Sequence, residues 1–232
     1  MRSLSAGCAA LAAALALLAG CASDDPPDAA APATAATTGA DTAGRAGTDH
    51  VATDHDGHAI GPVTYEGGTI SPVRQAPPLK LRDIDGRMVD IRDLRGAPVL
   101  VTFVYANCPD VCPLIMNSLA EARRDAGKAG RATRVIAVSV DPAGDTPAVV
   151  RRFLDQRGVA GFVDYLIGSR PALERTWADW GVATDVPTDD PELIEHTSLI
   201  YGVSASGELV TAYPVGFESA AVARDLPRLA AS

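Results

Sequence analysis

Positive charge is scarce in this 232-residue chain. Lys and Arg number 20 against 29 Asp and Glu, leaving a formal charge of −9 and a pI of about 4.8. A nucleic-acid partner requires a basic face, so that class is excluded; an acidic surface instead suits cations and basic partners. Long apolar runs are lacking as well. The stretch Ala9 to Ala19 is roughly half of the about 20 residues that a membrane-crossing helix needs. Cysteine is sparse, with four residues in all, two of which fall in the first 21 residues, so the pair left further on makes no disulfide framework. No internal repeat is apparent, so a solenoid or propeller is excluded.

What is present at the N-terminus reads as a targeting device. Met1-Arg2 ahead of the alanine and leucine run supplies the charged and apolar parts of a signal peptide over residues 1–20. Leu18-Ala19-Gly20-Cys21 resembles a bacterial lipobox, which implies cleavage before Cys21 and lipidation of that cysteine. The expected location is extracytoplasmic: a membrane-anchored bacterial lipoprotein on the periplasmic face or the cell surface. Two or three acyl chains anchor firmly where one does not. Residues 21–76 are rich in Ala, Thr, Asp, Gly and Pro without apolar periodicity, the composition of a flexible tether. Within it, His50, His55 and His58 alternate with Asp49, Asp54 and Asp56. Such a tract either binds Cu(II) or Zn(II) weakly or is a solvated linker.

Residues 77–232 suit one domain with a substantial core. Asp85-Gly86 between two short alternating runs signals a hairpin. Val99 to Tyr105 and Arg134 to Val140 are continuous apolar, β-rich runs, the pattern of strands buried on both faces. A helix is expected from Pro113 to about Ala129, another opening at Asp145-Thr146-Pro147, and a third over Pro171 to Trp180. Val163 to Ile167 reads as a shorter strand. Thr197 to Val203 and Leu209 to Tyr213 form a late hairpin around Ser206-Gly207, and a helix closes the chain from about Ser219 to Leu229. Strands alternating with helices indicate an α/β layered domain.

The chemistry concentrates in Asn107-Cys108-Pro109-Asp110-Val111-Cys112-Pro113, directly after the first buried strand. With Cys8 removed and Cys21 acylated, Cys108 and Cys112 are the only thiols left. A loop this short gains little stability from closure, so the pair is chemical rather than structural. Cys108 precedes a proline and is held extended. Asp110 is placed to cap the helix, and Cys112, at the helix start, is expected to ionise readily. His196 is the single histidine of the domain. Two thiolates and an imidazole form a soft set suited to copper, zinc is also satisfied by such ligands, and the same thiols can close a disulfide. Asp141 can reach the cysteine loop as an outer-shell group. Met116, Trp177 and Trp180 fit core packing. Asp185, Asp189, Asp190, Glu192 and Glu195 crowd the approach to His196, either steering a cation or lining a solvated loop.

Three blocks in order resemble the SCO/SenC family, thioredoxin-like copper proteins of cytochrome c oxidase assembly. They are Tyr105 to Pro113, Val138-Ser139-Val140-Asp141-Pro142 with Asp145-Thr146-Pro147, and His196-Thr197-Ser198-Leu199-Ile200-Tyr201. The resemblance implies a thioredoxin-like fold, with a central mixed β-sheet flanked by helices and an N-terminal β-hairpin extension. It implies that Cys108, Cys112 and His196 hold one copper ion, Cu(I) or Cu(II). Thr197 would take the place of the cis-proline of generic thioredoxins. The expected partners are the membrane, through the lipid anchor, and a copper-containing cytochrome c oxidase subunit or another copper protein. The expected function is a copper metallochaperone; the alternative is a thiol-disulfide oxidoreductase using Cys108 and Cys112 as its redox-active pair. One departure stands out: an acidic turn common in the family after the histidine block is replaced by Gly202-Val203-Ser204-Ala205-Ser206-Gly207.

Overall fold

Three strands of nearly uninterrupted apolar residues form the centre of the computed structural model, which describes residues 64–185 and 194–232. The expected signal peptide, Cys21, the three linker histidines and Asp189, Asp190 and Glu192 lie outside the described residues. The chain enters as β1 (Gly68–Gln75), then the hairpin β2 (Lys80–Asp83) and β3 (Met88–Asp90), followed by a 3-10 turn at Ile91–Leu94. β4 (Val99–Val104) leads to α1 (Val111–Asp125) and α2 (Gly127–Ala132). β5 (Arg134–Ser139), α3 (Pro147–Gln156), β6 (Val163–Ile167) and α4 (Arg170–Trp180) complete the alternating part. Two short strands, β7 (Thr184–Asp185) and β8 (Glu195–His196), precede the hairpin β9 (Leu199–Val203) and β10 (Glu208–Pro214) and the closing α5 (Ser219–Ala231).

The main sheet has eight strands in the order β1-β10-β9-β4-β5-β6-β2-β3. β4, β5 and β6 run parallel, paired Val99 to Arg134 and Val135 to Val163, while β9 lies antiparallel to β4 with Val101 opposite Tyr201. This is the expected mixed sheet flanked by helices. All six residues of β4 are buried, because helices and loops cover both of its faces. α1 packs against α5. Phe103, Trp180 and Tyr201 form an aromatic cluster with centroids 5.3–6.1 Å apart. Met116, Trp177 and Trp180 are core residues, and the Trp177 indole donates to the Ser139 carbonyl at 2.9 Å.

Two boundaries differ from expectation. The tether was read to residue 76, yet Gly68–Gln75 pairs with β10 as an edge strand. Seven of its eight residues are exposed, so it carries no apolar alternation to betray it. The chain just ahead of it is clasped by Asp225, fully buried, whose carboxylate accepts the amides of Glu66 and Gly67 and the Tyr213 hydroxyl and pairs with Arg228. The single helix expected from Pro113 to Ala129 is two, broken at Gly127 with φ +56°. The expected N-terminal hairpin extension is β2–β3, which lengthens the sheet at one edge with Arg82 paired to Ile167 of β6. Among the described residues, no helix is long and apolar enough to cross a membrane.

Candidate functional site

β4 delivers the chain to the edge of the core and α1 takes it away, so the cysteine turn sits at the C-terminal end of a central strand. The turn closes with the Cys108 amide donating to the Tyr105 carbonyl at 3.3 Å. Asp110 holds the N-cap position, but its carboxylate makes no capping bond. The acceptor is the Cys108 sulfur, 3.4 Å from the amide of Cys112, the second residue of the helix. A helix start has amides without carbonyl partners, and here a sulfur takes the place that a serine or aspartate oxygen usually fills.

That geometry reverses the expected assignment of the thiolate. Cys112 was expected to ionise readily because it opens the helix. Its side chain is instead fully buried, and its thiol donates to Cys108, so both the hydrogen bond and the burial push its pKa up. Cys108 is the sulfur on which the donors converge. The Cys112 thiol, the amides of Cys112 and Asp110 and the Tyr105 hydroxyl lower its pKa to about 5, against the opposing cost of burial. Cys108 is therefore a thiolate at neutral pH and Cys112 a thiol. Both are free cysteines.

His196 reaches the same place from the far end of the sequence. β8 pairs with β7, with Thr184 opposite His196, and the Thr197 amide and hydroxyl exchange hydrogen bonds with the backbone of Ala183. The Thr197 amide is thus in use, which a proline at that position cannot supply. The His196 Nδ1 lies 3.1 Å from the Thr197 carbonyl. A carbonyl only accepts, so Nδ1 carries the proton in the neutral ring and Nε2 keeps its lone pair. Burial lowers the imidazole pKa, which favours that neutral form. Its ring meets Tyr105 edge-on at 6.1 Å.

Cys108, His196, Tyr105, Pro109, Ile194 and Ser198 line one cleft of about 380 Å³. Cys112 lies behind Cys108 in the core. Among the described residues, no group of three His, Cys, Asp or Glu side chains is drawn together closely enough to hold a metal ion. One sulfur and an imidazole thus share the mouth, with the second sulfur buried behind the first.

An acid supports this mouth from within. Asp145 accepts the Ala106 amide at 2.8 Å, the Ser139 hydroxyl at 2.6 Å and the Tyr165 hydroxyl at 2.7 Å. Burial raises its pKa to about 6 against these bonds. The sequence pointed to Asp141 for contact with the loop, but Asp141 accepts the amides of Ala143 and Gly144 within its own turn. Thr146, not Asp145, caps α3. The role of Asp145 carries no sequence signal of its own, since an Asp before Thr-Pro reads equally well as a cap. Glu195 is exposed beside His196.

Residues 67–231 match the SCO1/SenC family. The chain belongs to that family. ScoI of Bradyrhizobium japonicum, solved with copper bound, is 31% identical, with a TM-score of 0.59 over 67% of this chain and 99% of that one. BsSco, a member of the Sco family of cytochrome c oxidase assembly proteins, shares the fold at 21% identity, with a TM-score of 0.59 over 70% of this chain and 98% of its own. An SCO2-like protein of Rickettsia felis is 25% identical over 135 residues, 56% of this chain. The chain spans 64% of that relative's length. The SCO1/SenC match covers all three sequence blocks and also takes in β1.

Proposed function

We propose that the chain is an extracytoplasmic copper metallochaperone that binds one copper ion through Cys108, Cys112 and His196 and delivers it to a copper-containing subunit of cytochrome c oxidase. The observation that carries this reading is the convergence of Cys108 and His196, from β4–α1 and from β8, on one cleft with Cys112 behind it. Copper is cargo here, and the ligand set suits it: one thiolate already formed, one thiol deprotonated on binding, one neutral imidazole. The pairing of β7 with β8 sets His196 at the rim of the cleft that Cys108 lines. Copper bound in the neighbouring ScoI supports the cargo, and the description of BsSco as one of the Sco family of cytochrome c oxidase assembly proteins supports its destination. The lipobox at Cys21 and the tether support a place on the membrane outside the cytoplasm.

The test is Cu(I) binding to the reduced protein in competition with a chromophoric chelator. One-to-one binding in the wild type that collapses in both Cys108→Ser and His196→Ala is expected. Binding that ignores His196 would overturn the three-ligand site.

A second reading has an observation of its own. An accessible thiolate beside a buried thiol is the asymmetry of a dithiol reductant. Cys108 would attack a partner disulfide and form a mixed disulfide; Cys112 would then release the reduced partner and close the Cys108–Cys112 bond, two electrons passing to the partner. Under this reading His196→Ala leaves partner reduction intact, whereas Cys108→Ser abolishes it.

A further inference from the structure

At the opposite end of the sheet from the cysteines, three helices run out together. Arg123 and Arg124 lie in the last turn of α1, Arg131 in that of α2, and Arg157 caps α3. These four side chains, with Phe162, line a cleft of about 460 Å³, and none of its lining residues is acidic. Among the described residues, no Asp or Glu lies within ion-pairing distance of any of the four. In a chain of net charge −9 this is an unbalanced concentration of positive charge.

A neighbouring cleft shows what balance looks like in the same fold. The one of about 580 Å³ also holds three arginines, but Arg87 pairs with Asp83, Arg134 with Asp164 and Arg151 with Asp85. Helix ends do not account for the surplus either. Each C-terminus carries about half a negative charge, so three offset about one and a half of four positive charges.

The guanidinium groups are also arranged for a ligand. Arg123 stacks on the Phe162 ring at 4.2 Å and spends its Nε on the Thr133 carbonyl, leaving its outer nitrogens to donate sideways. Arg157 lies over Phe153 at 5.1 Å. Its Nε is the one buried side-chain nitrogen or oxygen among the described residues with no hydrogen-bond partner. Burial and the nearby Arg134 lower the Arg123 pKa, the mark of a cation without a counter-charge.

We propose that this arginine cleft binds a phosphate-type oxyanion, either a soluble phosphate or the phosphodiester of an anionic lipid headgroup. Planar guanidinium forks match such an oxyanion with paired hydrogen bonds, and the aromatic floors fix their planes. The site is separate from the cysteine mouth, so this inference stands whether or not the copper reading does.

The full chain in a non-ionic detergent is titrated by calorimetry with inorganic phosphate, against sodium chloride of matched ionic strength. Saturable binding is expected. It should weaken by roughly tenfold or more in Arg157→Gln and in Arg124→Gln/Arg131→Gln, the scale of one lost charge-assisted bond. Arg124 and Arg131 are exposed, so the double variant keeps its fold, checked by an unchanged unfolding midpoint. The same proteins in nanodiscs of phosphatidylcholine, with and without phosphatidylglycerol, are followed by hydrogen exchange over residues 120–131 and 157–162. Protection only with phosphatidylglycerol identifies the headgroup as the source, and phosphate binding without it identifies a soluble anion. The proposal fails if phosphate gives no saturable heat and phosphatidylglycerol no protection, or if the variants behave as the wild type.

Discussion

Replacing Asp145 by Asn should change how stability depends on pH, by an amount the structure sets. The carboxyl has a native pKa of about 6 against an ordinary value of 3.8, because burial outweighs three hydrogen bonds. A raised carboxyl pKa means that the native state holds its proton longer than the unfolded chain. Its stabilising share is complete below the unfolded value and is lost as pH rises to the native one. About two units at 1.36 kcal/mol each give roughly 3 kcal/mol in all, of which about 2 kcal/mol falls between pH 4.5 and 7. Asn does not titrate, and it keeps an acceptor for the Ala106 amide. Urea unfolding of the reduced wild type and Asp145→Asn at a series of pH values isolates this share, whatever constant offset the substitution brings. The difference should move in favour of the variant by about 2 kcal/mol between pH 4.5 and 7. Parallel pH profiles would refute the account, and a shift in favour of the wild type would mean that the hydrogen bonds outweigh burial.

Other expectations concern single positions. Alkylation of the reduced protein should titrate Cys108 with a midpoint of about pH 5, shifting upward in Tyr105→Phe and further in Cys112→Ala; equal reactivity of the two cysteines would count against the donor arrangement. Gly130→Ala places a Cβ 1.9 Å from the Arg123 carbonyl and should cost about 1–3 kcal/mol by urea unfolding, since backbone must move to admit it. Asp225→Ala removes the acceptor of the Glu66 and Gly67 amides and of the buried Tyr213 hydroxyl, for a loss of about 1–3 kcal/mol with β1 released first in hydrogen exchange.

The sequence was most transparent where burial is symmetric. β4, β5 and β6 appear as nearly unbroken apolar runs because almost all of their residues are buried, and their ends were placed within one residue. β1 was opaque for the opposite reason: its pairing is made by backbone along an exposed edge, which leaves no side-chain pattern. β7 and β8, two residues each, are too short for periodicity to register. At the cleft, Cys108 and His196 stood out by residue type, but the division of labour between the two sulfurs did not. Sequence order put Cys112 at the helix start; only the fold of Pro109 and Asp110 turns the Cys108 side chain back over the first amides. The support from Asp145 depends on three donors from distant segments, and no local rule brings Ala106, Ser139 and Tyr165 together.

A sulfur atom as helix cap makes the first turn of α1 a reporter of what has happened to Cys108. A thiolate is a strong acceptor for the Cys112 amide, whereas a sulfur tied into a disulfide, or giving its electrons to a metal, is a weaker one. Each change of bonding at that atom should loosen or tighten the helix end, so reduced and oxidised proteins are expected to differ in backbone motion around Val111 to Leu114. Leu114 stands largely exposed in that turn. Amide exchange at Cys112, expected to be slower in the reduced than in the oxidised protein, checks this.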